Sequence, residues 1–238
     1  MPRKPRMYLP DVPAHVIQRG NNRSACFFSD DDYRYYLNCL HEARQKYSVA
    51  VHAYVLMTNH VHLLMTPSDE KGISLTMQSI GRRYVQYINY TYRRCGTLWE
   101  SRHKASLVQT EDYLFTCYRY IEMNPVRAQI VSHPGDYPWS SYRYHAYGEL
   151  NPVIQDHILY RRLDRDKETR LACYREMFKT DIDKATINRI RKAINFSMPL
   201  GHKRFQDEIE EMLGRKIGFD TRGRPAVKNK GKQEIIND

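Results

Sequence analysis

The chain has few cysteines and no long apolar run, which excludes two classes of protein. Its 238 residues include five cysteines without a C-x-x-C pair, so neither a disulfide framework nor a structural zinc site is predicted. No apolar run could span a bilayer and no signal-peptide pattern opens the sequence, so we expect a cytoplasmic protein without a membrane partner. The cysteines expected to be buried and reduced are Cys26, Cys39, Cys95, Cys117 and Cys173.

Acidic residues are scarce relative to basic ones. Lysine and arginine total 38 against 27 aspartates and glutamates, a formal net charge of 38 − 27 = +11. This excess favours a polyanionic partner, nucleic acid rather than an anionic membrane surface. Tryptophan (2) and phenylalanine (7) are few beside 19 tyrosines, whose polar-tipped rings suit base stacking as well as half-buried core positions. A hydrophobic content of 41% is enough for a core and excludes disorder throughout.

The order of hydrophobic patterns predicts an α+β fold with a ferredoxin-like split βαβ sheet. Alternating or β-branched runs predict four strands, and apolar residues at spacings of three and four predict three helices. The predicted elements are a strand at 14–20, a helix from Ser29 to Ala43, strands at 49–57 and 60–65, a helix from Ile73 to a cap at Gly96, a strand at 97–109 and a helix from Thr110 to Pro125. Under this plan the first and third strands lie centrally, and the last helix is an addition on or beside the sheet.

We predict three regions along the chain. Residues 1–150 form the sheet domain, in which the aromatic segment 137–142 is expected to wrap irregularly and pack Trp139 on the domain. Residues 151–214 form a small helical appendage, with helices at 167–178, 182–194 and 203–213. Residues 215–238 form a basic tail that is expected to be disordered; Arg222–Pro225 within it matches the core of an AT-hook, although a generic basic tail is the simpler description.

Two histidines mark the third strand. Successive side chains on a strand alternate between faces, so His60 and His62 lie together. Two imidazoles on one face are a good half-site for a divalent metal, but neutral histidine is also a common accidental polar residue near a sheet edge.

The third helix offers a tyrosine and an amide on one face. Residues four apart on a helix are about 40° apart in projection, so Tyr120 and Asn124 lie one turn apart. Tyr118 belongs to the apolar stripe and is expected in the core, whereas Tyr120 lies off it and is free to point into a site. The alternative is that Tyr120 is a packing tyrosine and Asn124 a helix C-cap. Two imidazoles with an amide oxygen would leave coordination positions open, which suits Mg²⁺ or Mn²⁺ bound to a phosphate.

Several segments together resemble a known family, the REP-associated tyrosine transposases within the HUH single-tyrosine transposases of small bacterial insertion sequences. The likeness covers roughly the first 145 residues. The segments that carry it are His15–Arg23, Leu56–Leu64, Gly96–Ala105, Tyr118–Ala128 and Trp139–Tyr142.

The resemblance implies an HUH nuclease fold whose added helix is catalytic. His60 and His62, with Asn124 as third ligand, would bind Mg²⁺ or Mn²⁺, and Tyr120 would attack a DNA phosphate to leave a 5′-phosphotyrosine link and a free 3′-OH. Related insertion-sequence transposases often have glutamine where this chain has Asn124. The partner implied is single-stranded, hairpin-forming repeat DNA, which would associate the protein with the nucleoid. Candidate DNA-binding residues are Arg82, Arg83, Arg102 and Lys104, for each of which solvated charge is the simpler explanation. Arg19, Asn22 and Arg23 lie in a turn shared with the family, where the resemblance implies readout of a guide sequence.

Two other functions remain open from the sequence. The first is a non-catalytic nucleic-acid-binding protein of ferredoxin-like fold with structural histidines. The second is an unrelated metallohydrolase with a His-x-His pair, a class that usually needs further ligands on a large barrel, for which this chain is short. Both a monomer and a homodimer are compatible with the sequence.

Overall fold

The computed structural model describes residues 8–214 and has a mixed α+β fold. Within this range four strands form one antiparallel sheet in the order β2-β3-β1-β4, so the first and third strands are central, as predicted. The strands are β1 (Ala14–Arg19), β2 (Val49–Met57), β3 (His60–Pro67) and β4 (Lys104–Leu107). This is the expected ferredoxin-like arrangement.

Nine helices accompany the sheet in the described part of the chain. The first three are α1 (Asp30–Lys46), α2 (Gly72–Thr91) and α3 (Thr110–Glu122). Three short helices follow: α4 (Asn124–Arg127), α5 (Tyr142–Tyr147) and α6 (Ile158–Arg161). The last three are α7 (Lys167–Glu176), α8 (Lys184–Phe196) and α9 (Lys203–Met212), close to the helices predicted in this region. The short helices α4, α5 and α6 were not predicted, because each has too few residues to show a helical period.

The two faces of the sheet bury different helices because side chains alternate along each strand. Val61, Leu63 and Met65 of β3 lie in the core that α1 and α2 cover. Leu64 of the same strand lies in a second core, which α3, α7 and α8 help to build. His60 and His62 share the face of Leu64, and their side chains therefore point toward the α3 side.

Helix α1 begins where the sequence predicted. The Asp32 carboxylate accepts hydrogen bonds from the backbone N–H groups of Phe28 (2.7 Å) and Ser29 (3.0 Å), which fixes the first turn. The predicted cap of α2 at Gly96 is wrong, although Gly96 is left-handed (φ 86°). The helix ends at Thr91, and Arg93 takes the left-handed conformation (φ 50°) with Arg94 N–H bonded to the Asn89 carbonyl at 2.9 Å.

Two predicted elements are shorter in the structure. Of the predicted strand 97–109, only Lys104–Leu107 forms a strand, β4. The residues before it do not continue the ladder, because Trp99 makes a single bridge to Gly20 and its ring packs on Tyr84 of α2. Arg102 therefore lies outside the strand, although the predicted strand included it. Helix α3 ends at Glu122 rather than at Pro125, since proline has no N–H to continue the helical bonding.

Segments from the second half of the chain cover both edges of the sheet. Leu56 N–H bonds to the Trp139 carbonyl (2.9 Å) and Ser141 N–H to the Tyr54 carbonyl (3.0 Å) along the free edge of β2. Trp139 stacks on Tyr33 of α1 at 4.6 Å between ring centroids, so the predicted wrap is confirmed. At the other edge, Leu200 N–H bonds to the Leu107 carbonyl at 2.7 Å. The division of the chain at residue 150 stays a prediction.

Exposure corrects the cysteine prediction at two positions. Cys26, Cys39 and Cys117 are buried as predicted, but Cys95 is exposed and Cys173 is half-buried.

No helix among residues 8–214 combines the length and apolar character that crossing a membrane requires. Residues 1–7 and the predicted tail 215–238, with its AT-hook match, lie outside the described residues.

Candidate active site

The two histidines of β3 lie side by side at the start of the strand. Their ring centroids are 5.1 Å apart with the planes nearly perpendicular. In the sheet register His60 lies opposite Arg19 and His62 opposite Ile17 of β1. The tight turn between β2 and β3 thus brings both imidazoles to the α3 face beside the end of β1.

Hydrogen bonds engage the Nδ1 atom of each histidine. His60 Nδ1 lies 2.6 Å from Asn59 Oδ1, and the amide of Asn59 is oriented by donating from Nδ2 to the Arg23 carbonyl at 3.0 Å. His62 Nδ1 lies 2.8 Å from His15 Nε2. Neither Nε2 atom has a hydrogen-bond partner among residues 8–214, and neither is sealed in the interior. Both rings therefore present Nε2 as a possible metal-binding atom, with Nδ1 held by a neighbour.

Burial keeps these imidazoles neutral. It lowers the pKa of His60 to about 4, with a further contribution from the charge of Arg19. It also lowers the pKa of His15 to about 3, where Arg127 adds to the effect, and holds the pKa of His62 well below its ordinary value. Neutral imidazole is the form that binds metal, so all three rings are in that form at neutral pH.

Helix α3 places Tyr120 against this cluster. The edge of its ring meets His15 at 5.7 Å and His62 at 5.8 Å between centroids, and the residue is 5% exposed. Tyr118 is 0% exposed and packs on His145 and Tyr174 in the core, as predicted. The helical period thus separates the two tyrosines, and Tyr120 is the one that reaches the histidines.

Asn124 begins α4 and does not mark the last turn of α3, which corrects the sequence-based placement. Its Nδ2 donates to the Tyr120 carbonyl at 3.2 Å, so the amide nitrogen satisfies a carbonyl left open at the end of α3. Its Oδ1 has no hydrogen-bond partner among the described residues. One side chain therefore combines a capping contact with an oxygen that remains available as a ligand.

Carboxylates do not contribute to this cluster. No grouping of three or more His, Cys, Asp or Glu side chains within residues 8–214 is arranged to hold a metal ion. A divalent ion at His60 and His62 would need its remaining ligands from an amide such as that of Asn124, from water or from a DNA phosphate.

Three neighbours of the site were not predicted from the sequence. His15 lies two positions before the opposite partner of His62 on β1, a contact that depends on the strand register. The Arg127 guanidinium lies 4.4 Å from the ring centroid of Tyr120 and donates to the Tyr120 carbonyl. Arg191 of α8 is near enough to lower the pKa of Arg127. The first two lie in segments that carry the family resemblance, which was the signal available.

The predicted DNA-binding residues fall into two groups. Arg19 lies opposite His60, and Lys104 lies opposite Ile17 on the same sheet face, where its Nζ bonds to Asn195 of α8 at 3.2 Å. Asn22 and Arg23 are exposed in a turn beside Asn59, both with left-handed backbone (φ 50° and 59°).

The second group lies farther away. Arg82 and Arg83 are on α2, which covers the opposite face of the sheet, and Arg83 pairs with Glu42 at 2.6 Å. Arg102 is exposed in the loop before β4. The structure therefore brings Arg19, Asn22, Arg23 and Lys104 toward the histidines and does not bring Arg82 or Arg83 there.

Both the sequence and the fold of this chain are similar to those of known transposases. Residues 9–124 match the model of a family described as IS200-like transposases. A search of curated proteins finds no match. The fold is similar to that of a REP-associated tyrosine transposase bound to a REP hairpin: the TM-score is 0.54 at 17% identity, over 66% of this chain and 92% of that one. At this identity the likeness is one of fold.

Two other solved structures are less similar to this chain in fold. One is a putative transposase from Deinococcus radiodurans, with a TM-score of 0.36 at 19% identity over 54% of this chain and 92% of that one. The other is a bacterial tRNA(His) guanylyltransferase-like protein in complex with GTP, with a TM-score of 0.38 at 15% identity over 56% and 74%.

Proposed function

We propose that this chain, whose residues 9–124 match the model of the IS200-like transposases, cleaves and rejoins single-stranded, hairpin-forming repeat DNA through a covalent bond to Tyr120. The observation that carries the proposal is the contact of the Tyr120 ring with His62, whose Nε2 atom has no partner among the described residues. A phenol beside two neutral imidazoles combines a nucleophile with a phosphate-orienting metal site. The products would be a 5′-phosphotyrosine link and a free 3′-OH.

The residues present fit a divalent metal. His60 and His62 would supply two nitrogen ligands and Asn124 an oxygen, leaving positions for water and phosphate, which suits Mg²⁺ or Mn²⁺. When bound, such an ion acts as a Lewis acid on the phosphoryl oxygen. Asn59 and His15 hold the two rings in orientation, which is the usual task of hydrogen-bond partners behind a metal ligand.

The surroundings of Tyr120 suit a reaction that must avoid hydrolysis. The side chain is almost entirely buried, and its ring is fixed between the β-sheet histidines and Arg127. A nucleophile held in one geometry loses little entropy on attack, and limited water access protects the phosphotyrosine bond until a 3′-OH returns. The chain's own residues thereby support both cleavage and rejoining.

The charge and the fold support the choice of DNA as substrate. A net charge of +11 supplies a general attraction for phosphates. The transposase of similar fold is bound to a REP hairpin, and we extend that class of ligand to this chain. Arg19, Asn22, Arg23 and Lys104 lie nearest the histidines and would contact the strand that enters the site, whereas Arg82, Arg83 and Arg102 would contact more distant phosphates. A protein with this substrate would work at the nucleoid.

The test is a covalent adduct assay. Single-stranded hairpin oligonucleotides from repeats beside the gene are incubated with the protein and Mn²⁺ or Mg²⁺, and the denatured mixture is scored for protein–DNA adduct. We expect an adduct for the wild type, none for Tyr120→Phe and none with chelator.

Tyr118→Phe is the matched control, because it removes a phenol two residues away on the same helix but on the core side. It should still form the adduct. Tight hairpin binding without an adduct in the wild type would contradict the proposal and favour a non-catalytic binding protein.

A further inference from the structure

Arg127 is attached to Tyr120 at two points. Its guanidinium donates to the Tyr120 carbonyl, and the Cζ atom lies 4.4 Å from the centroid of the phenol ring. The first contact closes the end of α3 and fixes the arginine, while the second places a positive charge over the ring face. A guanidinium is planar and is charged at neutral pH, so the stacked geometry holds there.

This charge is partly desolvated and has no acidic partner. Burial lowers the pKa of Arg127 to about 10, and the nearby Arg191 adds to the effect, while Tyr120 opposes it. No ion pair joins Arg127 to a carboxylate within residues 8–214. A buried cation is costly unless an anion neutralises it. The anion that the proposed reaction brings to this place is the phosphate of the substrate.

We infer that Arg127 is a further catalytic residue, which binds a non-bridging oxygen of the scissile phosphate and stabilises negative charge on the attacking phenol. The inference rests on the proposed function and names the group that completes its site. Guanidinium matches phosphate geometry with paired donors, and only one hydrogen bond of Arg127 is used within the described residues. Cation–π attraction strengthens as the phenol gains negative charge, so the same group favours the attacking form of Tyr120.

The chemical step balances without a further reagent. The phenolic O–H loses its proton, the oxygen forms a bond to phosphorus, and the bond from phosphorus to the 3′-oxygen breaks. The departing 3′-oxygen takes up a proton to become the free 3′-OH. Negative charge on the equatorial phosphate oxygens is greatest midway, which is where a fixed guanidinium contributes most. Rejoining is the same sequence in reverse.

Other cations near Tyr120 do not have this geometry. Arg119 on α3 donates to the Thr180 carbonyl and so is directed elsewhere. Arg19 lies opposite His60 across the sheet ladder. Arg127 is therefore the cation that stacks on the nucleophile.

The experiment compares Arg127→Gln and Arg127→Lys with the wild type. The rate of adduct formation is measured at neutral pH with saturating hairpin oligonucleotide, and oligonucleotide affinity is measured in parallel. Arg204→Gln is the matched control, since it removes the same charge from an exposed position on α9 that pairs with Glu208.

We expect Arg127→Gln to slow adduct formation about 10²- to 10³-fold, the usual effect of removing one transition-state donor. Its oligonucleotide affinity should change much less than its rate, because the interaction is strongest in the transition state. Lysine should recover part of the rate, since it keeps the charge but not the planar stack. Arg204→Gln should leave the rate unchanged.

The outcomes separate the two levels of the proposal. An adduct in the wild type together with an unchanged rate in Arg127→Gln overturns the inference alone. No adduct in the wild type overturns the proposed function and the inference with it. If thermal unfolding shows that Arg127→Gln does not fold, Arg127→Lys decides: a rate equal to the wild type contradicts the inference, and a loss of about tenfold or more at equal affinity supports it.

Discussion

Glu122 is a buried carboxylate whose removal should weaken the whole described fold. It lies two residues after Tyr120 and is 0% exposed. Its carboxylate accepts hydrogen bonds from Ser141 Oγ (2.6 Å), His145 Nδ1 (2.9 Å) and Tyr174 Oη (2.7 Å). These partners lie just before α5, on α5 and on α7, so one side chain joins α3 to three later segments of the chain.

The cost of Glu122→Leu follows from which donors lose their partner. The Ser141 hydroxyl has the Tyr54 carbonyl as a second acceptor at 3.3 Å, but His145 and Tyr174 are both 0% exposed and lose their acceptor. Each buried donor left unpaired costs about 1–3 kcal/mol. With two such donors, we expect Glu122→Leu to lower the free energy of unfolding by about 2–6 kcal/mol, a large part of the stability of an ordinary domain.

The measurement is urea denaturation at pH 7, followed by hydrogen exchange. Tyr174→Phe is the control, because it removes one donor and leaves the carboxylate with two partners; it should cost about 1 kcal/mol. Amide protons of α7 should exchange faster in Glu122→Leu together with those of α3. A loss below about 0.5 kcal/mol, or equal losses in the two variants, would refute the reasoning.

Three further predictions concern pH, metal and salt. Burial lowers the pKa of His52 from 6.5 to about 3, so its contribution to stability is complete above pH 6.5 and is lost as the pH falls toward 3. Between pH 7 and pH 5 this loss is about 2 kcal/mol. In urea denaturation at these two pH values, the free energy of unfolding of His52→Asn should therefore fall by about 2 kcal/mol less than that of the wild type; an equal fall in the two proteins would contradict the prediction. Calorimetric titration with Mn²⁺ should show no binding to His62→Gln and about 10- to 100-fold weaker binding to Asn59→Ala, with His52→Asn unchanged; full affinity in Asn59→Ala would show that the bond to His60 does not matter. Arg19→Gln should reduce the dependence of hairpin affinity on salt by about one phosphate contact, and an unchanged slope would exclude Arg19 from the interface.

Local sequence patterns predicted the parts of the site that depend on one element. Strand alternation placed His60 and His62 together, and the helical period separated Tyr120 from Tyr118. The resemblance to single-tyrosine transposases of insertion sequences is confirmed by the match of residues 9–124 to the model of IS200-like transposases, and the fold is similar to that of a REP-associated tyrosine transposase. These predictions succeeded because side-chain direction follows from backbone geometry alone.

The contacts that the sequence did not predict depend on pairing between distant segments of the chain. His15 meets His62 only through the register of β1 against β3. Arg191 comes near Arg127 only because α8 packs on the same face of the sheet as α3. The late start of the fourth strand follows from Trp99, whose ring packs on α2. Periodicity within a segment holds no information about such partners.

The most direct test of the account is to locate the attached nucleotide by mass spectrometry. After the adduct reaction, nuclease and trypsin digestion should release residues 120–127, a peptide bounded by Arg119 and Arg127 in which Tyr120 is the one tyrosine; Tyr113 and Tyr118 fall in residues 105–119. The account predicts nucleotide mass on residues 120–127, assigned by fragmentation to Tyr120. Nucleotide on residues 105–119, or on neither peptide when the reaction has run with metal and hairpin DNA, would contradict it.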